Sequence, residues 1–511
     1  MNKETLINTA AVIAAFVVQL FISFWLSPLV VAKLGEEAYG FINLSNNFVS
    51  YASLISVAIN SMACRFISVE YNSGKVDEAK KYFSTVVIAN SFLFGIVLIA
   101  AIVLISNIQL VVNVSPALVF QVKCTFLLSF INMGVSLIGT AYTSAAFSTY
   151  KMHYTSLVQV VANVIKSVAV YLLFVLLPAK IYYLSAATLL AGIVTLAGNY
   201  RVTKLLFSDF TVKLHLFDLD KILILIKSGF WVLLSNISNM LLSGLDLLLS
   251  NWFIGAALMG RLSLAKQIPY AFSSALGIFS SIFSSSLTKS FAQNGRGELI
   301  NEVKSQLALL SFIFTTPYSI IIALGIPFLT LWLQGSHYSL LDINEIYFLM
   351  ILTLIDIVVS TYMYSIHSVF IALNQVKRYS LVLLIASIIS IATTVLLLEI
   401  TPYGLYVIAG TSTVVLGLTH AIIVPAMAAR MLREKISVFW KVELKSWIVL
   451  LVFSALLSVL RFSMSFNSLN DLLITCIVIT LIGYSISFSL FFSKTERKRL
   501  GASIIKFFAR K

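Results

Sequence analysis

Charged side chains are scarce in this sequence: only 11% of its 511 residues are Asp, Glu, Lys or Arg, while 59% are hydrophobic. A soluble globular domain carries roughly a quarter charged residues, so that class is excluded and a polytopic helical membrane protein remains. Cysteine is nearly missing. Cys64, Cys124 and Cys476 lie in or near apolar stretches without redox or metal spacing, which excludes a disulfide scaffold and a zinc module. There is no Walker loop, no HExxH, no paired-cysteine motif and no nucleophile elbow. ATP hydrolysis, metal hydrolysis and enzyme activity in general are therefore not expected, nor is a metal or bound cofactor. The alternation of a transmembrane barrel is absent too. The net charge of +15 does not point to nucleic acid, because the basic residues sit in short loops rather than in one basic domain.

What is present is a succession of apolar runs, each long enough to span a bilayer as a helix. Fourteen spans are predicted, at roughly 6–32, 41–67, 83–106, 117–147, 154–177, 181–206, 230–253, 259–287, 306–333, 346–373, 379–400, 403–428, 446–464 and 472–492. The weakest is Trp447 to Phe466, which Arg461 interrupts. Leu6 to Ala32 is too long for a signal h-region and reads as a mature helix. Lys and Arg alternate between loops: about 28 fall on one side and about 4 on the other (Lys33, Lys123, Lys180, Arg461). Both termini are expected in the cytoplasm of a bacterial cell, with the chain in the cytoplasmic (inner) membrane.

The chain also repeats. LGEEAYGF (Leu34 to Phe41) returns as IGAALMGR (Ile254 to Arg261), an offset of 220. Gln19 answers to Asn239 and Ser23 to Ser243 at that offset, and Ser156 to Ser380 and Pro178 to Pro402 at 224. Six spans thus duplicate as six, an even number. The copies should face the same way, related by a pseudo-two-fold axis along the membrane normal. The expected organisation is a lobe at 1–207, an interfacial amphipathic linker at 208–229, a second lobe at 230–430, two appended helices at 431–493 and a basic tail at 494–511.

After each copy of the turn comes a span too polar for lipid. In the first, Asn43, Asn46 or Asn47, Ser50, Ser53, Asn60 or Ser61 and Arg65 recur at helical spacing. In the second, Ser263, Lys266 or Gln267, Tyr270, Ser273, Ser280 or Ser281 and Ser285 do so. Such a stripe must face protein or a water-filled cavity. Weaker stripes occur in span one (Gln19, Ser23), span four (Ser129, Asn132, Ser136, Thr140, Thr143), span seven (Asn239, Ser243, Asp246) and span ten (Thr353, Asp356, Ser360, Tyr364, His367). Helix packing would account for any single one. The symmetric set suggests a central aqueous cavity.

Charges inside the bilayer are costly, on the order of 2.5 to 3.5 kcal/mol each on insertion scales. Asp246 and Lys266 flank the turn at Gly255 and could form a structural ion pair. In the functional reading, Lys266 offers positive charge to an anionic substrate, while Asp246 holds or releases that lysine. Lys166 shares one helix face with Asn163 and Gln159 and reads as cavity-lining. Arg65 either meets a phosphate or anchors its helix at the interface. Asp356 and His367 are candidates for coupling to H+ or Na+, whereas His420 reads as a packing histidine.

LGEEAYG after span one, the polar second span ending in Arg65 with Glu70 and Gly74 beyond, SSSLTKSFAQNG after span eight and the six-plus-six repeat together carry a resemblance. The chain resembles the multidrug/oligosaccharidyl-lipid/polysaccharide exporter superfamily, in particular its polysaccharide (O-antigen type) flippases. The resemblance implies two lobes around a cavity that opens alternately to each side, and a polyprenyl-diphosphate-linked glycan as substrate with its tail left among membrane lipids. It further implies a polysaccharide polymerase and chain-length proteins as partners. Lys166, Lys266 and Arg65, with Asn46, Asn47, Asn239, Gln267 and Tyr270, would line that cavity. Asp246 and Asp356 add negative charge, which fits an organic-cation antiporter at least as well. A lipid II flippase is a further alternative, and a membrane polymerase or glycosyltransferase another.

Overall fold

The apolar runs become helices. The computed structural model describes residues 3–492 other than Gly335, His337 and Asn374, together with Arg497. Its main helices are α1 Lys3–Leu34, α2 Glu36–Asn72 and α3 Val76–Ser106, then α4 Pro116–Ser148, α5 Met152–Leu176, α6 Tyr182–Leu206 and α7 Leu219–Phe253. There follow α8 Ala256–Ala265, α9 Gln267–Trp332, α10 Leu340–Ala372, α11 Val376–Ile400, α12 Gly404–Leu432, α13 Ser437–Arg461 and α14 Leu469–Phe491. Among the described residues, thirteen helices are long and apolar enough to cross a membrane. The thirteenth expected span is one of them, and Arg461 is its last residue rather than an interruption. The eighth expected span is not among the thirteen, because part of it lies outside the residues whose side chains are described. The side chains of Ser243, Ser281 and Ser285 lie outside them as well, and so does the basic tail apart from Arg497.

That eighth span belongs to α9, a run of 66 helical residues. A straight helix of 1.5 Å per residue would hold Phe272 and Tyr318 about 69 Å apart. Their ring centroids are 4.7 Å apart, and those of Phe279 and Phe314 5.7 Å. Both pairs are symmetric about residues 295–297, where the sequence reads Gly295-Arg296-Gly297. The chain therefore doubles back, and α9 is two antiparallel legs, as two successive spans require.

The repeat is written into contacts as well. Gly35 and Gly255, equivalent at the offset of 220, both take positive φ (85° and 132°) and break α1 from α2 and α7 from α8. Gly40 lies against its own equivalent: a Cβ there would stand 2.8 Å from the Gly260 Cα. One turn on, Asn43 donates to the hydroxyl of its equivalent Ser263 at 2.6 Å. Positions related by a two-fold operation touch each other only at the axis, so these two pairs mark it. Glu36 reaches Arg261 of the second copy at 3.4 Å, and Glu37 accepts from the backbone and hydroxyl of Ser115.

The linker differs from expectation. Instead of a separate interfacial helix there is one short turn, Leu214–Leu216, after which α7 begins at Leu219 with Asp218 as its cap. Ser228-Gly229 reads as a boundary in sequence, but Gly229 is where α7 crosses α2. Any Cβ there would run into the Ala58 carbonyl. The linker is tied to α3 through Ser84 and Thr85, and Lys221 meets Glu78 at 2.6 Å.

By contacts the chain forms two compact units, Met1–Leu264 with Ser380–Ile408, and Ala265–Tyr379 with Ala409–Lys511. In the first, α4 packs along α6, α1 along α5 and α2 along α7. In the second, α9 is the centre: α10, α13 and α14 all pack on it. Apolar side chains such as Leu473, Ile477 and Leu481 of α14 face outward, as a lipid-facing surface requires.

Candidate functional site

Within the first unit, α1, α4, α5 and α6 line a partly open cavity of about 480 Å³, in the range of small-molecule sites. Most of the residues that line it are polar, which is unusual between membrane helices. From α5 come Gln159, Asn163 and Lys166, at the spacing that puts them on one face; α1 adds Gln19. From α4 come Asn132, Ser136, Thr140 and Thr143, and from α6 Thr188, Thr195 and Asn199. Gly192 lets Asn132 lie against α6, since any Cβ at that position would meet the amide oxygen.

The electrostatics of this chamber are simple. Among the described residues, Lys166 is the one ionisable side chain of its lining, and no carboxylate lines it. Buried polar groups are ordinarily paired, yet three lining amides carry a buried atom without a hydrogen-bond partner: Asn132 Oδ1, Asn163 Nδ2 and Asn199 Oδ1. The threonine hydroxyls are committed. Thr140, Thr188 and Thr195 donate to the carbonyls of Ser136, Leu184 and Ala191 at 3.1, 2.8 and 2.8 Å, leaving their lone pairs towards the chamber.

The other sequence-derived residues fall elsewhere. On α2, Asn46 and Arg65 are exposed, as is Asn239 on α7. Asn47 donates at 3.1 Å to the Gly244 carbonyl, which also receives the Tyr51 hydroxyl. That carbonyl ends a π-helical turn, Met240–Gly244, just before the buried Asp246. Freed backbone acceptors at such a turn need outside donors, and α2 supplies them. In the second unit Lys266 is buried at the joint between α8 and α9, with its ammonium 5.3 Å from the ring of Tyr270; Gln267 opens α9.

Asp356 and His367, both candidates for coupling, have different neighbours. Eleven residues apart, they would share a face of an unbroken helix, but α10 is interrupted at Thr361–Tyr362. His367 stacks on Tyr379 at 4.5 Å. The imidazole joined to Asp356 is that of His420. Ser360 Oγ donates to Asp356 Oδ1 at 3.2 Å and lies 2.7 Å from His420 Nδ1. His420 sits in a second π-helical turn, Thr419–Ile423, and its buried Nε2 has no partner. The sequence reads His420 as a packing histidine, because its partner Ser360 lies on another helix and periodicity along α12 does not reveal it. The polar face of α6 was passed over, since Gly and Ala interleave its threonines.

Comparison with known proteins follows the same lines. Over residues 5–282 the chain matches the family described as polysaccharide biosynthesis protein. It is 26% identical over 495 residues to the uncharacterized membrane protein EpsK of Bacillus subtilis strain 168, covering 96% of both chains. It is similar in fold to the lipid II flippase MurJ in an inward closed conformation, with a TM-score of 0.66 and 16% identity over 95% of this chain and 98% of that one. An inward-facing multidrug resistance MATE family transporter of the MOP superfamily gives a TM-score of 0.67 and 13% identity, covering 86% and 96%. The all-helical architecture expected from the LGEEAYG turn and the repeat is the one found. With more than half its length matched, this multi-pass membrane chain belongs to the family described as polysaccharide biosynthesis protein.

Proposed function

We propose that the chain is a flippase that carries a polyprenyl-diphosphate-linked oligosaccharide, the repeat unit of an O-antigen, capsule or similar surface polysaccharide, from the cytoplasmic to the outer leaflet. Two lobes, 1–207 and 230–430, would open alternately to either side, with both termini in the cytoplasm of a bacterial cell. The observation that carries this reading is the chamber between α1, α4, α5 and α6. Among the described residues its lining carries a single charge, which is positive, and no carboxylate. Such a lining favours a hydroxylated, anionic ligand and repels an organic cation, so it speaks against a cation antiporter. Lys266, Tyr270, Gln267, Asn46, Asn47, Asn239 and Arg65 are proposed further contacts along the path. Asp246 and the chain Asp356–Ser360–His420 are proposed to couple transport to H+ or Na+. A polymerase and chain-length proteins would take the product.

Purified protein in proteoliposomes tests this. Polyprenyl-diphosphate-linked glycan placed in one leaflet should become accessible to an enzyme or lectin on the other side, and lipid II should do so more slowly. Efflux of an organic dye cation without glycan movement would refute the proposal, and faster movement of lipid II would reassign the substrate.

A further inference from the structure

The charge of the sugar itself can be read from the same chamber; the inference rests on the flippase reading and narrows it. We propose that the α1–α4–α5–α6 chamber binds a sugar residue bearing one negative charge, such as a uronic acid, and not the diphosphate of the lipid carrier.

The argument is an inventory of donors and acceptors. A diphosphate is doubly ionised and only accepts hydrogen bonds, so its site needs several donors and more than one cation. This chamber offers one ammonium, that of Lys166 on α5, which has no hydrogen-bond or ion-pair partner among the described residues. Acceptors outnumber it. The threonine hydroxyls of α4 and α6 spend their protons on their own helices. Asn132 and Asn199 each leave an amide oxygen unsatisfied and Asn163 an amide N–H, with Asn199 only 5% exposed. A ligand that satisfies this set must bring several O–H donors and a single anionic group. A carboxamide presents a donor and an acceptor whichever way it is turned, and so does a sugar hydroxyl, so Asn132, Asn163 and Asn199 suit a ring of hydroxyls. Among the described residues, no aromatic side chain lines the chamber. Stacking cannot therefore replace the charge, and Lys166 would set selectivity.

The experiment uses the full-length protein in detergent or nanodiscs with three probes: glucuronate, glucose and inorganic pyrophosphate. Binding is read by thermal stabilisation and titration at low salt. Glucuronate should bind best, and Lys166→Gln should weaken it about tenfold, the worth of one charge-assisted hydrogen bond, with glucose unchanged. Lys166→Arg should recover much of the loss, which separates charge from folding. Pyrophosphate binding tighter than glucuronate, equal binding of glucose and glucuronate, or no binding of any probe would overturn the inference. The flippase reading is tested apart from it. If the unaltered protein moves a lipid-linked neutral glycan across proteoliposomes while glucuronate and glucose bind it equally, the flippase reading stands and the acidic sugar falls.

Discussion

Gly260 and Gly277 lie in the same copy of the repeat, yet the consequences of adding one methyl group to each should be opposite. At Gly260 the new Cβ would press into the Glu36 carbonyl, at the crossing where Gly40 and Gly260 meet as equivalents. Backbone cannot rotate aside as a side chain does, so Gly260→Ala should cost about 1 to 3 kcal/mol or more. At Gly277 nothing lies within 4 Å. There alanine recovers helix propensity, and Gly277→Ala should be neutral or stabilising by about 0.5 to 1 kcal/mol. Thermal melts of the purified variants decide it; equal destabilisation of both would mean that the crossing is not as described. Residues of this kind are legible in sequence only as repeats, since the offset of 220 pairs Gly40 with Gly260 without revealing that they touch. Lys166 was more legible: Asn163 and Gln159 lie three and seven positions before it, and helical periodicity alone aligns the three. The partner of Asp356 was not, because periodicity runs along one helix and His420 arrives from another.

At the scale of elements the spans were readable from apolar length, while their ends were decided by contacts. The loop expected between spans eight and nine is helical, and its reversal appears only in the ring pairs Phe272–Tyr318 and Phe279–Phe314. The linker helix merges into α7 because Gly229, a breaker by composition, serves a close crossing with α2. The polar face of α6 was hidden for a different reason: Thr188, Thr195 and Asn199 are interleaved with Ala191, Gly192 and Ala197, small residues that pack on either face. The reversal of α9 has a direct test. In protein lacking Cys64, Cys124 and Cys476, cysteines at Phe272 and Tyr318 should be joined by a short bifunctional thiol reagent. Cleavage at a protease site inserted near residue 296 should then leave the two halves together on a denaturing gel. A pair such as Phe272 with Trp332, fourteen residues beyond Tyr318 and so about 21 Å further along the second leg, should not be joined. Equal yields from both pairs would sink the two-leg description.

For the molecule as a whole, the proposed direction of transport depends on which way it sits in the membrane, which we propose is set by charge. Read as alternating loops and termini, the sequence assigns about 28 basic residues to one side and about 4 to the other. The helix boundaries keep those loops apart. The basic ones join α2 to α3, α4 to α5, α6 to α7, the two legs of α9, α10 to α11 and α12 to α13. An even number of spans in each copy of the repeat keeps the two copies in the same sense, as the contacts Gly40–Gly260 and Asn43–Ser263 require. Reporter fusions check the result without reference to substrate. An enzyme active only outside the cytoplasm should be inactive when fused after residue 78, 151, 212 or 434. It should be active after residue 113, 179, 402 or 465, with a cytoplasmic fluorescent reporter giving the reverse pattern. Lys81 and Lys221 share Glu78, and Lys80 lies 3.8 Å from Asp77. Replacing Lys80 and Lys81 should weaken the bias locally without inverting it, because about 26 basic residues remain on the same side. An active external reporter at both 78 and 212 would reverse the inside and outside assigned here, and the cytoplasm-to-outer-leaflet direction would reverse with them.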